Sequence, residues 1–213
     1  VGKHVLTEKP MAITLEDANR MIDVCKENKV KLGVIFQMRT ADSFKLVREK
    51  LREEELGKIV LADLYMKYYR SQEYYDSAGW RGTWKYDGGG ALMNQGIHMI
   101  DILQWLIGDV DMIFGYTETL VRKIEVEDTC VSVLKFKNNA IGVIEGATSV
   151  FPPDIPPRIE IHGENGTIMF SWGDIIRWDV KGKDGKVINR LEDKSIKKRI
   201  KTEESGKHSK PTD

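Results

Sequence analysis

The sequence predicts an α+β protein in which one parallel βαβ crossover precedes a large, open, mixed sheet that is rich in antiparallel pairs and carries helices on one face. Two observations support this fold class. Residues 3–38 alternate strand, helix and strand, which is the building unit of a parallel sheet. From Lys58 onward, β-prone segments follow one another through short turns, which favours antiparallel pairing. The change of pattern predicts three parts, residues 1–39, 40–180 and 181–213.

The N-terminal crossover is defined by a strand, a capped helix and a second strand. Residues 4–7 are short and β-prone, and residues 31–38 return as a Val-Ile-Phe strand. Between them, Thr14 is a suitable N-cap, and Asp17 occupies the acidic position of a capping box. A second amphipathic helix is expected over residues 41–55, ending near the next glycine.

The remainder of the chain predicts a run of strands interrupted by one helix. Lys137-Asn138-Asn139 and the Gly-Glu-Asn-Gly stretch at 163–166 are turn signals, so hairpins are expected. After Lys181 the chain is rich in Lys, Glu and Ser with few large apolar residues, which predicts a loop or a partly disordered tail. The predicted strands cover residues 59–69, 112–120, 129–136, 140–149, 158–163, 166–171 and 175–180.

Composition and charge restrict the classes of function. The 213 residues include 33 basic and 33 acidic side chains, and 41% are hydrophobic. The zero net charge gives no electrostatic reason to expect nucleic acid or an acidic membrane as partner. No apolar run approaches about eighteen residues and no signal-peptide pattern is present, so we expect a soluble, cytoplasmic protein. Cys25 and Cys130 lie far apart without clustered histidines, which predicts buried thiols and no metal site.

A glycine run leads directly into a helix that carries polar groups at regular spacing. At about 100° per residue, one narrow stripe of this helix contains Asn94, His98, Asp101 and Trp105. An imidazole, with an unperturbed pKa of roughly 6.5, can give or take a proton near neutrality, so His98 is a candidate catalytic residue. The alternative is a hydrogen-bonded structural histidine on an otherwise apolar helix.

A lysine follows the first strand. Pro10 favours an extended backbone at Lys9 and ends the strand, so Lys9 is expected at the carboxyl end of a parallel sheet. Ligands bind at that end of an open α/β sheet, and a lysine there can hold a hydroxyl or carbonyl oxygen. The alternative is a solvated lysine at a strand exit.

Three motifs together resemble a known family. Glu8-Lys9-Pro10, the segment from Gly88 to Asp101 (Gly-Gly-Gly-Ala-Leu-Met-Asn-Gln-Gly-Ile-His-Met-Ile-Asp), and Glu127-Asp128-Thr129 are similar to signatures of the Gfo/Idh/MocA oxidoreductases. The resemblance implies an N-terminal Rossmann domain that binds NAD or NADP and a C-terminal domain with an open sheet. It implies hydride transfer between nicotinamide and a secondary alcohol of a sugar, cyclitol or nucleotide-linked sugar.

The resemblance also implies roles for individual residues. His98 would be the general acid/base, Lys9 would hold the reacting oxygen near the nicotinamide ribose, and Pro10 would be the family's cis proline. Glu8, Gln37 and Arg39 complete the residues expected on the cofactor side. For Arg39, an ion pair at the junction between domains is the open alternative.

The substrate side departs from the common family pattern. Asn94 stands where many members carry Asp, and an amide can orient a hydroxyl but cannot share acid/base chemistry. Together with Trp80-Arg81, it makes the chain similar to the branch that includes UDP-N-acetylglucosamine and UDP-N-acetylglucosaminuronate 3-dehydrogenases. Arg81 is then expected to pair with a phosphate or carboxylate, and Trp80 or Tyr69 to stack on a sugar. Ordinary packing of the aromatic rings and a structural ion pair for Arg81 stay open.

Two further expectations concern the whole protein. The chain contains no G-x-G-x-x-G turn, so residues 1–39 are expected to be only the end of a Rossmann domain, and the isolated chain to be inactive. The open sheet is expected to associate into a homodimer or homotetramer. A non-catalytic sugar-binding or oligomerisation module is the alternative function.

Overall fold

The N-terminal crossover forms as the sequence predicts. In the computed structural model, which describes residues 2–152 and 155–201, β1 (Val5–Thr7) pairs in parallel with β2 (Leu32–Val34) around α1 (Leu15–Glu27). The Thr14 hydroxyl accepts a hydrogen bond from the backbone N–H of Asp17 at 3.1 Å, so the predicted N-cap is confirmed.

The second strand is shorter than residues 31–38. It ends at Val34, and Gln37–Thr40 forms a 3₁₀ turn before α2 (Asp42–Arg52). The Thr40 hydroxyl donates to the Gln37 carbonyl at 2.6 Å, which stabilises this turn over a continued strand. The turn directs residues 37 and 39 toward a helix of the second sheet.

The second sheet has eight strands, and each strand predicted from the sequence is present to within two residues at its ends. Its order is β10-β9-β8-β7-β3-β6-β5-β4. Neighbours pair antiparallel except β3 and β6, so the predicted mixed, antiparallel-rich sheet is confirmed. The strands are β3 (Ile59–Lys67), β4 (Val110–Glu118), β5 (Thr129–Phe136), β6 (Ile141–Ala147), β7 (Arg158–Gly163), β8 (Gly166–Ser171), β9 (Asp174–Lys181) and β10 (Val187–Asn189).

Helices cover one face of this sheet. A short helix, α3 (Gln72–Asp76), follows β3, and the longer α4 (Ile97–Ile107) packs beside α2 on the sheet. The core between helices and sheet is built mainly of apolar side chains and includes Phe44, Leu64, Met99, Ile102, Ile159, Phe170 and Trp178. This layer holds α4, and therefore His98, in a fixed position.

The segment before α4 is a π-helical turn over Ala91–Gly96. Its start is held by the buried Glu127 carboxylate, which accepts backbone N–H groups of Gly90 at 2.8 Å and Leu92 at 3.0 Å. The wider turn changes the direction of the side chains before residue 97, so Asn94 leaves the predicted stripe. His98, Asp101 and Trp105 remain in the α-helical part.

The other face of the sheet is open and divided into two halves. Around β4, β5 and β6 it carries apolar side chains that are 40–72% exposed: Leu61, Met112, Phe114, Tyr116, Val131, Val133 and Ile141. Around β7 and β9 it carries Arg158, Glu160, His162, Arg177 and Asp179, several of them in ion pairs. The apolar half therefore exposes more hydrophobic surface than the charged half of the same face.

The prediction of a loop after Lys181 is wrong for residues 187–201. Strand β10 and a 3₁₀ turn at Arg190–Glu192 precede α5 (Lys194–Lys201). Ile196 is buried in the core at 2% exposure, and Arg199 contacts both Glu49 carboxylate oxygens at 2.9 Å. Tertiary contacts therefore order a segment whose composition is polar. Residues 202–213 lie outside the described part.

The remaining composition-based predictions concern thiols, metals and membranes. Cys25 and Cys130 are free and buried, as predicted. The described residues contain no cluster of His, Cys, Asp or Glu suited to hold a metal ion. Among those same residues, no helix has both the length and the apolar character that crossing a bilayer requires.

Candidate active site

Lys9 and the π turn before α4 meet at the carboxyl end of β1. The Lys9 ammonium group donates a hydrogen bond to the backbone carbonyl of Asn94 at 3.1 Å. The Lys9–Pro10 peptide bond is cis, as the family resemblance implies. Two motifs that are 85 positions apart in sequence therefore form one site.

His98 lies in the same site and contacts the 3₁₀ turn. Its Nε2 is 3.4 Å from the side-chain nitrogen of Gln37. A rotation of the Gln37 amide by 180° would place the amide oxygen at this position instead. Its Nδ1 is buried and has no hydrogen-bond partner. Because Nδ1 is buried, Nε2 is the ring nitrogen available for proton exchange with a ligand.

The electrostatics of the site favour uncharged His98. Burial lowers the pKa of His98 below its usual value of 6.5, and the Lys9 ammonium lowers it further, against the smaller effects of Asp101 and Glu8. Burial also lowers the pKa of Lys9, although Asp87 and Glu8 oppose this. At neutral pH, an imidazole in this position is ready to accept a proton.

The Asn94 side chain binds Asp87. Its amide donates to Asp87 at 2.9 Å, and the other Asp87 oxygen accepts the backbone N–H of Gly82 at 2.9 Å. Asn94 thus joins Lys9, through its carbonyl, to the segment that carries Trp80 and Arg81. Sequence analysis did not identify Asp87 as a residue of the site, although its position directly before three glycines could have indicated it.

Arg39 and Asp101 bind each other. The Arg39 guanidinium contacts the buried Asp101 carboxylate through two hydrogen bonds of 2.7 and 2.5 Å, and it lies over the Trp105 ring. This is the ion pair that was left open as the alternative for Arg39. Contact of either residue with a ligand stays a prediction.

Arg81 and its neighbours form an aromatic and cationic group beside the π turn. The Arg81 guanidinium lies 4.1 Å from the Tyr74 ring and 4.8 Å from the Trp80 ring. Tyr69 packs edge-on against Phe151, with the Arg122 guanidinium 5.0 Å away. Within the described ranges Arg81 has no carboxylate partner, so the alternative of a structural ion pair finds no support.

Several residues of this group escaped sequence analysis. Gln95 accepts a hydrogen bond from Arg70 at 3.0 Å and donates to the Tyr74 hydroxyl at 3.1 Å. Glu127 fixes the start of the π turn. Only the Glu-Asp-Thr motif gave a signal for Glu127, and no local pattern indicates a contact between residues 70 and 95.

Comparison with known families identifies both parts of the fold. Residues 44–169 match the GFO/IDH/MocA C-terminal domain, and residues 1–36 match the oxidoreductase family with an NAD-binding Rossmann fold. The chain belongs to the Gfo/Idh/MocA family. The predicted resemblance and the Rossmann character of the first crossover are thereby confirmed.

Relatives within the Gfo/Idh/MocA family act on sugars and cyclitols. Levoglucosan dehydrogenase of Pseudarthrobacter phenanthrenivorans is 24% identical over 195 residues, which are 80% of this chain and 50% of the relative. Myo-inositol 2-dehydrogenase of Thermotoga maritima is 31% identical over 173 residues, 78% of this chain and 49% of the relative. The chain spans about half the length of the curated relatives it matches.

Solved structures of family members superimpose closely. WlbA dehydrogenase from Bordetella pertussis, in complex with NADH and UDP-GlcNAcA, gives a TM-score of 0.86 at 36% identity, covering 96% of this chain and 58% of that one. Levoglucosan dehydrogenase in complex with NADH gives 0.79 at 25% identity, covering 89% and 54%.

Proposed function

We propose that this chain provides the catalytic and substrate-binding part of an NAD(P)-dependent oxidoreductase acting on a secondary alcohol of a sugar, cyclitol or nucleotide sugar. The single observation that supports this best is the meeting of a desolvated His98 and the Lys9 ammonium at the end of β1. A base beside a cation is the arrangement that alcohol oxidation requires.

The residues present fit the nicotinamide end of a cofactor. Lys9 is a half-buried donor, Gln37 is an exposed amide, and the orphaned His98 Nδ1 adds a buried polar atom. Glu8 and Pro10 complete the turn beside them. When bound, the nicotinamide ring accepts or returns the hydride. NADH is present in the WlbA and levoglucosan dehydrogenase structures, so NAD is the first cofactor to test, and NADP the second.

The chain's own residues can manage the proton and the developing charge. Neutral His98 accepts the proton of the substrate hydroxyl, and Lys9 donates a hydrogen bond to the oxygen as negative charge develops on it. The Asn94 carbonyl holds the ammonium group in place, and Gln37 orients the imidazole. In the reducing direction, protonated His98 returns the proton to the carbonyl oxygen.

Within this class, a nucleotide-linked N-acetyl sugar is the finer substrate proposal. Support comes from the 36% identity to a dehydrogenase solved with UDP-GlcNAcA and from Trp80 and Arg81 beside the site. Tyr69 and Asn94 are then positioned on the substrate side. For Asp101 we propose a positioning role through Arg39, because both of its oxygens are occupied.

The experiment joins this chain to the part of the Bordetella dehydrogenase that lies outside the match. We expect this joined protein to bind NADH, measured by fluorescence titration, and to oxidise UDP-GlcNAcA, while the chain alone does neither. His98→Ala should abolish turnover with NADH affinity nearly unchanged, because the imidazole handles only the proton. Near-normal turnover of this variant would remove His98 from the mechanism.

A non-catalytic sugar-binding or oligomerisation module is the second candidate. It is favoured by one observation, the apolar half of the open sheet face, whose exposed side chains suit an oligomerisation surface. If a folded joined protein, verified by circular dichroism, fails to bind NADH and NADPH, the module replaces the dehydrogenase as the better function.

We further propose that the apolar half of the open sheet face associates with a second copy in a dimer or tetramer. Its exposed apolar side chains on adjacent strands are the support for this proposal. We assign residues 1–39 to the end of the nucleotide-binding domain and residues 40–201, which include α5, to the second domain. The two free, buried thiols fit a cytoplasmic location.

A further inference from the structure

Three arginines without carboxylate partners gather beside the π turn. The Arg81 and Arg122 guanidinium groups lie over the Tyr74 and Tyr69 rings, and Arg70 lies 5.4 Å from the Tyr74 ring. Most other arginines in the described ranges form ion pairs with acidic side chains, but none of these three does so. Guanidinium groups without a carboxylate in direct contact can bind the oxygens of an anion.

Two of these guanidinium groups also hold unused donors. The Nε atoms of Arg81 and Arg122 are buried and have no hydrogen-bond partner. A buried N–H without an acceptor costs free energy, and a bound oxyanion would satisfy it. Arg81 further lines a cavity of about 410 Å³ together with Lys123 and the small residues Ala78, Gly79 and Gly82.

Acidic residues near the cavity are already occupied by other donors. Asp76 accepts from Gln72 at 2.9 Å, and Glu125 accepts the backbone N–H of Trp84 at 3.0 Å. They line the cavity with Arg81 but contact it in no hydrogen bond or ion pair of the described residues. The guanidinium groups therefore stay available for a ligand.

The cluster is connected to the catalytic residues. Gln95 binds Arg70 and Tyr74, and it directly follows Asn94, whose carbonyl holds Lys9. A ligand with its anion at the arginines could extend along the π turn and present a sugar ring to His98.

We infer that Arg70, Arg81 and Arg122 form a binding site for the diphosphate of a nucleotide-linked substrate. This rests on the proposed function only for the identity of the sugar, since the site binds an oxyanion whether or not the chain is catalytic. Planar guanidinium groups bind phosphate oxygens through paired N–H donors, and Trp80, which is 43% exposed, offers a ring for stacking.

The test uses the 213-residue chain itself and isothermal titration with UDP, inorganic pyrophosphate, uridine and glucuronate at low ionic strength. We expect UDP and pyrophosphate to bind, uridine and glucuronate to bind at least tenfold more weakly, and affinity to fall with added salt. If glucuronate binds and pyrophosphate does not, the cluster is a carboxylate site and the diphosphate site is overturned.

Variants locate the binding on the chain. Arg81→Gln and Arg122→Gln should each weaken UDP about tenfold or more. Arg81→Lys should recover only part of the loss, because it keeps the charge but not the paired donors. Arg177→Gln, on strand β9 in an ion pair with Asp179, is the matched control and should bind UDP normally.

Failure of this proposal differs from failure of the proposed function. Equal UDP affinity in all arginine variants, or no binding of UDP and pyrophosphate, would overturn the diphosphate site. His98→Ala should leave UDP binding unchanged. If UDP binds as expected but the joined protein has no NADH-dependent activity, the proposed function fails while the anion site stands.

Discussion

The Lys9 ammonium disfavours the positively charged form of His98. Burial is the larger cause of both lowered pKa values, and the Lys9 ammonium adds to the effect on His98. The pairing of these residues could be predicted, because each lies in a motif of the family. The hydrogen bond from Lys9 to Asn94 could not be predicted, because the acceptor is a backbone carbonyl and any residue type supplies one.

Removing the Lys9 charge should raise the pKa of His98. In Lys9→Met we expect the pKa to move upward but to stay below 6.5, because burial of the imidazole is unchanged. Titration of the His98 ring resonances by NMR measures this directly. Lys3→Met removes an exposed lysine and should leave the resonance titration as it was. An unchanged pKa in Lys9→Met would show that the two charges do not interact.

The π turn depends on close approach of Gly90 to the Glu127 backbone. A Cβ at residue 90 would lie 1.8 Å from the Glu127 carbonyl oxygen, so the two backbone segments would have to move apart. Gly90→Ala should reduce the free energy of unfolding by about 2–3 kcal/mol. Urea denaturation followed by tryptophan fluorescence measures the change.

A matched glycine provides the control for Gly90→Ala. A Cβ at Gly79 meets no atom within 4 Å and needs no unusual backbone angle. Gly79→Ala should therefore change stability by less than about 0.5 kcal/mol. Equal effects of the two substitutions would contradict the close contact.

The Arg39–Asp101 ion pair connects the 3₁₀ turn to α4. Asp101 is buried, whereas the Arg39 side chain is 42% exposed. Arg39→Ala should cost about 2 kcal/mol, less than for a fully buried pair, because water can partly replace the lost charge. Adding Asp101→Asn should recover part of the loss, as measured by a double-mutant cycle in urea. Fully additive losses would show that the pair contributes no coupling.

Strands and amphipathic helices were predicted well where local pattern decides them. Alternating burial along β7, for example, is visible in the sequence as the alternation Arg-Ile-Glu-Ile-His. The helix α5 was missed because only Ile196 and Ile200 carry its apolar contacts among lysines. Its stability comes from packing on α2, which lies about 150 positions earlier and leaves no local signal.

The eight-stranded sheet has a covered face and an open face, and the open face was predicted from the family resemblance. The division of the open face into an apolar and a polar half was not predicted. The division follows from strand order, because β4, β5 and β6 lie together on one side of β3 and β7, β8 and β9 on the other. Strand order depends on contacts over the whole chain rather than on any one segment.

Phe114→Glu should reduce association of the chain. Phe114 is 62% exposed in the middle of β4, the edge strand of the apolar half, and a carboxylate there would be desolvated in an interface. We expect the mass from light scattering after size exclusion to fall to that of a monomer. Val187→Glu, at 74% exposure on the opposite edge strand, is the control and should leave the mass unchanged. A monomeric unaltered chain would contradict the proposed association.

Strand β3 joins two meanders, each of which is continuous in sequence. The β4-β5-β6 meander lies on one side and β7-β8-β9-β10 on the other, and a hydrogen bond from Val143 reaches Asp63 across 80 positions. During synthesis on the ribosome, β3 therefore emerges before both of its partner strands, and its two edges stay unpaired until β6 and then β7 have been synthesised. Each meander can form early from local contacts. The last step of folding is then the insertion of β3, the first-synthesised strand of this sheet, between β6 and β7.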